Sequence, residues 1–316
     1  MIYVVIPCYK VKSHILKVIS EIPTIVDKVF VIDDCCPVGS GKYVEENCKD
    51  TRISVVYHEK NKGVGGALIT GYKEVLKAGK SGIVIKLDGD DQMDPAFIPH
   101  LIYPIQKEKA DYTKGNRFFF IRSLSKMPKI RLVGNTGLSF INKVVSGYWN
   151  VMDPTNGYTA IHTSSLKFLP LESIANDYFF ESDMLFRLST INAVVKDIPM
   201  VSKYEDEESN LNVMSTLITF PTRYLSRFIK RLMYNYYLRD FNIGSLFFTL
   251  GLPLFLFGLV FGAYHWWNSL NLNIATPVGT IMISMISVIL GFQSILFFLQ
   301  YDISMTPKNI SSEREC

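Results

Sequence analysis

Short apolar runs alternate with amphipathic stretches through the first third of the chain, and two long apolar stretches lie near its end. Residues 3–6, 28–32, 52–57 and 83–87 are compact and rich in β-branched side chains, so each predicts a strand. Between them, 13–22 and 66–77 carry helical spacing. This alternation predicts an α/β fold with a mostly parallel sheet covered by helices on both faces. Farther on, Ile130, Val133, Phe140, Ile141, Val144 and Val145 are the apolar points of 127–147, with Lys129, Arg131 and Lys143 between them. That pattern fits a helix packed on the sheet or one lying at a membrane surface.

Residues 243–264 and 277–299 contain no Asp, Glu, Lys or Arg, and each reaches the ~20 residues that a spanning helix needs. They account for the positive mean hydropathy of +0.17. As core helices they would need a covering layer that the rest of the chain does not supply. The segment 222–242 interleaves Tyr224, Phe228, Tyr234, Tyr236 and Tyr237 with Arg223, Arg227, Lys230, Arg231 and Arg239, as a juxtamembrane amphipathic segment does. Lys and Arg are absent from the linker 265–276 and return at Lys308 and Arg314, so both termini are expected on the cytoplasmic side. Trp266 and Trp267 suit an aromatic belt on the far side. The expected plan is a cytoplasmic domain over 1–221, spans at 243–264 and 277–299, and a cytoplasmic tail over 300–316.

Charge and cysteines narrow the setting. A net charge of +4, with the basic residues gathered beside the apolar stretches, does not indicate nucleic-acid binding. Five cysteines without CxxC spacing suit a reducing compartment. The start of the chain lacks the basic region of a secretory signal, so a cytosolic catalytic part is expected.

The chemistry sits at the ends of the predicted strands. Asp88-Gly89-Asp90-Asp91-Gln92 closes the run at 83–87, where oxygen donors at Asp88, Asp90 and Gln92 suit Mg²⁺ or Mn²⁺ and, through it, a diphosphate. An ordinary acidic turn leading to a helix at Asp94-Pro95 explains the same residues. Asp33-Asp34 ends the second strand, where carboxylates bond a base or ribose, or simply their own turn. Asn61-Lys62-Gly63-Val64-Gly65-Gly66 opens a helix with free N–H groups. Gly39-Ser40-Gly41-Lys42 is no P-loop, because Tyr43 stands where Ser or Thr is required. Arg117 offers a rigid fork of donors to a phosphate, or to solvent. His58, His100, His162 and His265 lack metal-ligand spacing and read as structural.

Taken in order, Ile6-Pro7-Cys8-Tyr9, Val31-Ile32-Asp33-Asp34, Asn61-Lys62-Gly63, Leu87-Asp88-Gly89-Asp90-Asp91-Gln92 and Gly115-Asn116-Arg117-Phe118 resemble family 2 glycosyltransferases of the GT-A fold. The likeness is closest to the dolichol-phosphate mannosyltransferase and bacterial polyprenyl-phosphate glucosyltransferase branch. Asp153-Pro154-Thr155-Asn156-Gly157-Tyr158 and Tyr178-Phe179-Phe180-Glu181 look like that branch's acceptor-side segments. Lys10, Val11 and Lys12 depart from the Asn and Glu common after the first Tyr, which bears on base recognition near Tyr9.

The resemblance implies a membrane-anchored, metal-dependent enzyme of a bacterial inner membrane that moves one hexose-type sugar from a UDP- or GDP-linked donor to an undecaprenyl or dolichyl phosphate, with inversion. Pro7, Tyr9, Asp33, Asp34, Asn61, Gly63 and Asp88 would bind the nucleotide sugar, and Asp88, Asp90 and Gln92 the Mg²⁺ or Mn²⁺. Asp90, Arg117 and Arg131 would be catalytic, while Asp153, Asn156, Gly157 and Glu181 would face the acceptor. A homo-oligomer is in keeping with the branch. A phosphate acceptor needs no general base. A glycolipid or saccharide hydroxyl would need one, with Asp153, Glu181 or Asp183 as candidates. A non-catalytic nucleotide-sugar-binding scaffold is the reading outside enzymology. Gly251, Gly258 and Gly262 suit helix contacts between chains or between the two spans of one chain.

Overall fold

The computed structural model describes residues 1–120, 129–201 and 213–310, the side chains of 129–131 and 213–218 excepted. The chain divides into two compact units, Met1–Phe228 with the tail from Pro307, and Ile229–Thr306.

In the first unit β1 (Ile2–Cys8), β2 (Lys28–Asp33), β3 (Ile53–Tyr57), β4 (Ile83–Lys86), β5 (Tyr112–Asn116), β6 (Thr159–His162) and β7 (Val195–Pro199) form one sheet in the order β3-β2-β1-β4-β6-β5-β7. Only β6 runs against its neighbours β4 and β5. The expected mostly parallel sheet is therefore present. Side chains alternate along β1, so Tyr3 and Val5 enter one core layer with α3 (Gly63–Lys77), the short α6 (Thr163–Lys167) and α7 (Phe180–Thr190). Val4 and Ile6 enter the other, with α1 (Ile15–Ser20), α2 (Ser40–Asn47) and α4 (Ile98–Gln106).

Some elements differ from their expected extents. The helix expected at 13–22 is α1, shorter at both ends, and α3 starts at Gly63, so the glycine-rich turn is its first turn. Helix α2 was not legible in Gly39-Ser40-Gly41-Lys42. Gly39 begins it in the left-handed region at φ 62°, and Asp33 Oδ2 accepts from Gly41 N at 2.7 Å. The turn and helix expected at Asp94-Pro95 are both there, with Asp94 accepting from Ala96 N at 2.9 Å ahead of a 3₁₀ turn and α4.

Helix α5 (Lys129–Ser146) occupies the 127–147 segment, of which Met127 and Pro128 lie outside the described residues. It buries Ser139, Asn142, Val145 and Ser146 and exposes Val133, Phe140 and Ile141. In α8 (Val213–Met233), Tyr224 is not the interfacial anchor expected of it. It is buried against Phe179 and Phe220, with its hydroxyl 2.7 Å from that of Ser182.

The second unit is built on α9 (Ile243–Leu272) and α10 (Val278–Ser304). With 30 and 27 residues, both are long and apolar enough to cross a membrane, and their most apolar windows are only 11% and 17% buried, unlike core helices. α9 outruns the 243–264 stretch. Nothing in 265–272 breaks a helix, so Trp266 and Trp267 lie on it, and it ends at Asn273 with φ 49°. Small residues join the pair. A Cβ on Gly251 would fall 2.5 Å from Ser294, one on Gly258 2.7 Å from Val288 N, and one on Gly262 2.2 Å from Ser284. These three glycines thus pack the two helices of one chain.

Candidate active site

The strand order turns at β1, with β2 on one side and β4 on the other. Open α/β sheets bind ligands beyond the carboxyl ends of the strands at such a switch point. Register carries Pro7, Cys8 and Asp33 to this edge, and Val5 pairs with Lys86 so that Asp88 follows beside them. β6 crosses β4 antiparallel with Thr159 opposite Lys86, which sets Gly157 opposite Asp88.

The loop after β4 is shaped by packing. A Cβ on Gly89 would press on the terminal methyls of Ile15 at 2.9 Å and Val11 at 3.1 Å, so the glycine lets the turn sit on α1 without moving those side chains. Asp88 and Asp90, half-buried, flank it. Asp90 Oδ1 accepts from the exposed Gln92 N at 3.1 Å. Asp91, at φ 67°, turns inward to pair with Lys17.

Behind Asp88 lies a residue that sequence reasoning read only as part of a strand. Lys86 is 2% exposed, and its Nζ lies 2.9 Å from Glu181 Oε1 and 3.4 Å from Asp88 Oδ1. Burial alone would lower the ammonium's pKa, but the Asp88 and Glu181 carboxylates outweigh it and leave it raised. A Cβ on Gly157 would fall 2.1 Å from this Nζ, which explains the glycine. Glu181 stands in the first turn of α7, a favourable place for a carboxylate. The signal was available, since a lone lysine inside an apolar strand run must find partners when buried.

Asp33 and Asp34 are both buried and engaged. Asp33 Oδ1 accepts from Cys36 N at 2.7 Å, and Oδ2 from Gly41 N. Asp34 Oδ1 meets His58 Nδ1 at 2.7 Å and Lys62 N at 2.8 Å, and its Oδ2 accepts from Gly63 N at 2.8 Å. Exposed Asn61 also accepts from Gly63 N, at 3.0 Å. The glycines of this turn admit another stretch of chain. A Cβ on Gly63 would lie 2.5 Å from the Asn176 carbonyl oxygen, and one on Gly65 2.4 Å from that of Ala175. Tyr9, just past the end of β1, is 42% exposed, with Lys10 Nζ 5.3 Å from its ring centroid.

The remaining candidates are tied together. Arg117 grips the buried Asp153 with Nε to Oδ2 and Nη2 to Oδ1, both at 2.7 Å. Burial would raise the Asp153 pKa, but the Arg117 guanidinium and Lys114 hold it below the usual carboxylate range. Lys114 Nζ also donates to the carbonyls of Met152 at 2.7 Å and Asp153 at 2.6 Å. Asn156 braces the same loop by donating to Gly115 O at 2.9 Å and accepting from Tyr158 N at 3.1 Å. Buried Asp183 is held by Arg227 at 2.6 Å and Arg187 at 3.2 Å. The Arg131 side chain lies outside the described residues.

No group of three or more His, Cys, Asp or Glu side chains gathers into a metal cage among the described residues. Mg²⁺ and Mn²⁺ that arrive with a diphosphate need no such cage. One or two carboxylates, substrate phosphates and water complete the shell. The oxygen-only pair Asp88 and Asp90 fits that class of site.

Comparison with known proteins gives this arrangement a context. A sequence model of the family described as glycosyl transferase family 2 matches residues 3–169. The UDP-N-acetylglucosamine–dolichyl-phosphate N-acetylglucosaminyltransferase of Methanococcus voltae is 30% identical over 220 residues, covering 65% of this chain and 87% of that protein. The undecaprenyl-phosphate mannosyltransferase of Micrococcus luteus is 26% identical over 174 residues, covering 54% and 70%. In fold, the chain resembles glucosyl-3-phosphoglycerate synthase from Mycobacterium tuberculosis, solved with Mn²⁺, uridine diphosphate and glucosyl-3-phosphoglycerate. The TM-score is 0.52 at 20% identity, over 73% of this chain and 79% of that one.

Proposed function

Because the chain belongs to glycosyl transferase family 2, we propose that it transfers one sugar from a nucleotide sugar to a polyprenyl phosphate at the cytoplasmic face of a membrane. The observation that carries the acceptor class is the state of the carboxylates. Asp153 is gripped by Arg117, Asp183 by Arg187 and Arg227, and Glu181 by Lys86. Each candidate base for a hydroxyl acceptor is thus already committed to a cation. A phosphate oxygen is anionic and attacks without one. Relatives that carry dolichyl or undecaprenyl phosphate in their names support the same reading.

In the proposed reaction a lipid-phosphate oxygen forms a bond to the anomeric carbon as the bond to the nucleoside diphosphate breaks on the opposite face, which inverts the centre. Tyr9 and Pro7 border the nucleotide, and Asp33 and Asp34 hold the loops around it. Asp88 and Asp90 are the residues that would hold Mg²⁺ or Mn²⁺. A bound divalent ion would neutralise charge growing on the leaving diphosphate. Arg117 orders the loop at Asp153, and the two apolar helices confine the enzyme to the membrane that contains its acceptor.

The test is transfer from UDP- and GDP-sugars to a polyprenyl phosphate by the full chain in liposomes, with Mn²⁺, Mg²⁺ or chelator, beside Asp90→Ala. UDP-N-acetylglucosamine comes first, as the donor named for the 30%-identical relative. A lipid-phosphate sugar that disappears with chelator and in the variant is expected. Transfer to hydroxyl acceptors alone would overturn the reading.

A further inference from the structure

Lys86 takes no part in the transfer just described, yet three elements converge to keep it in place. β4 buries it in an apolar run, α7 brings Glu181 to 2.9 Å, and the β6 side presents Gly157, whose missing Cβ leaves the space. A Cβ there would also lie 3.3 Å from Asp88 Oδ2 and 3.4 Å from Glu181 Oε1. The ammonium therefore pairs with two carboxylates carried by different elements, Asp88 just past β4 and Glu181 on α7. Without it, Asp88 and Glu181 would be two anions on either side of a cation-sized gap, itself an attractive place for a divalent ion.

We propose that Lys86 is a positioning residue that occupies the cation's place between Asp88 and Glu181, so that the site takes up its divalent metal only together with the diphosphate of the donor. This rests on the reading of Asp88 as a metal-side carboxylate. A bare ion must compete with the ammonium for Asp88 and finds Glu181 already paired. A diphosphate brings its own oxygens and negative charge, which makes up for the blocked carboxylate. Premature binding of bare metal is thereby disfavoured, and Asp88 stays aimed at the nucleotide side.

The experiment is Mn²⁺ titration of the full chain in detergent, followed by electron paramagnetic resonance, with and without UDP. Thermal unfolding is recorded in parallel. Lys86→Met keeps the length and removes the charge, so bare Mn²⁺ should bind roughly tenfold more tightly and the enhancement by UDP should shrink. Glu181→Gln leaves the ammonium to Asp88 alone, so bare Mn²⁺ should bind more weakly. The double variant should return towards wild type. A merely structural role predicts weaker binding in every variant. Unchanged or weaker bare-metal binding in a folded Lys86→Met protein overturns the inference alone. Should that variant not fold, the double variant, which strands no charge, takes its place, and bare-metal binding well below wild type in it overturns the proposal. Wild-type protein that binds no Mn²⁺ even with UDP overturns the metal reading and this inference together.

Discussion

Arg117 and Asp153, 36 residues apart, meet through two parallel hydrogen bonds of 2.7 Å. The carboxylate is fully buried and the arginine 18% exposed. Such a pair adds little when compared with an apolar replacement, but breaking it from one side strands the other charge. Asp153→Asn should therefore cost about 3 kcal/mol near neutral pH. Because the folded-state pKa of Asp153 is lowered, its stabilising contribution is present above the ordinary carboxylate value and is lost as pH falls through the lowered one. Thermal melts from pH 7 down to about 3 should show the variant's deficit narrowing at the acid end.

The strands that build the edge of the candidate site were legible because each is a short apolar run, and both aspartate motifs fell at strand ends where the fold places them. Strand β5 was harder to read. Its sequence Tyr112-Thr113-Lys114-Gly115-Asn116 is buried throughout, but Lys114 owes that burial to carbonyls 38 and 39 residues away. Distant partners also hid the role of Lys86, since Glu181 lies 95 residues off. Tyr224, Arg227 and Arg231 looked like membrane-surface residues because basic and aromatic interleaving serves equally to pair with buried carboxylates and fill a core. Their partners Ser182, Asp183 and Asp302 are remote in the chain.

Two kinds of glycine should respond oppositely to alanine. Gly157→Ala places a Cβ on Lys86 Nζ, at 2.1 Å, and that side chain is buried and paired, so it has nowhere cheap to move. The substitution should destabilise by about 1–3 kcal/mol, as overpacking does, and depress sugar transfer strongly. Gly134 and Gly137 of α5 have nothing within 4 Å of such a Cβ. Alanine there should stabilise by about 0.5–1 kcal/mol each. Melting temperatures of the three single variants, set beside their transfer rates, check the contrast.

Asp34 uses both oxygens, accepting from Lys62 N and Gly63 N at the start of α3 while meeting His58. Asn at this position has one acceptor oxygen, so an amide N–H₂ group would face a backbone N–H. A buried mismatch of that kind costs about 1–3 kcal/mol. Asp34→Asn should lower the melting temperature and loosen the first turn of α3. UDP titration should show weaker binding, and hydrogen exchange should show faster exchange at residues 62–66 than in wild type. Unchanged exchange there would separate Asp34 from the helix start.

Within the second unit, Arg231 Nη1 and Nη2 reach Asp302 at 2.7 and 3.1 Å, and the Tyr236 hydroxyl donates to the same carboxylate at 2.6 Å. Arg231 and Asp302 are both 3% exposed. The pair ties α10 to the chain that leads into α9, where Ser245 bonds back to the carbonyl of Tyr236. Asp302→Ala should cost about 3–5 kcal/mol, because it leaves a buried guanidinium and a buried hydroxyl without their shared acceptor. Replacing both charges, as Arg231→Met with Asp302→Leu, should recover much of that loss, since the stranded charge disappears with its partner. Unfolding in graded detergent denaturant of the wild type, the two single variants and the double variant measures the coupling. Single and double losses that simply add would mean that the two side chains stabilise the unit independently.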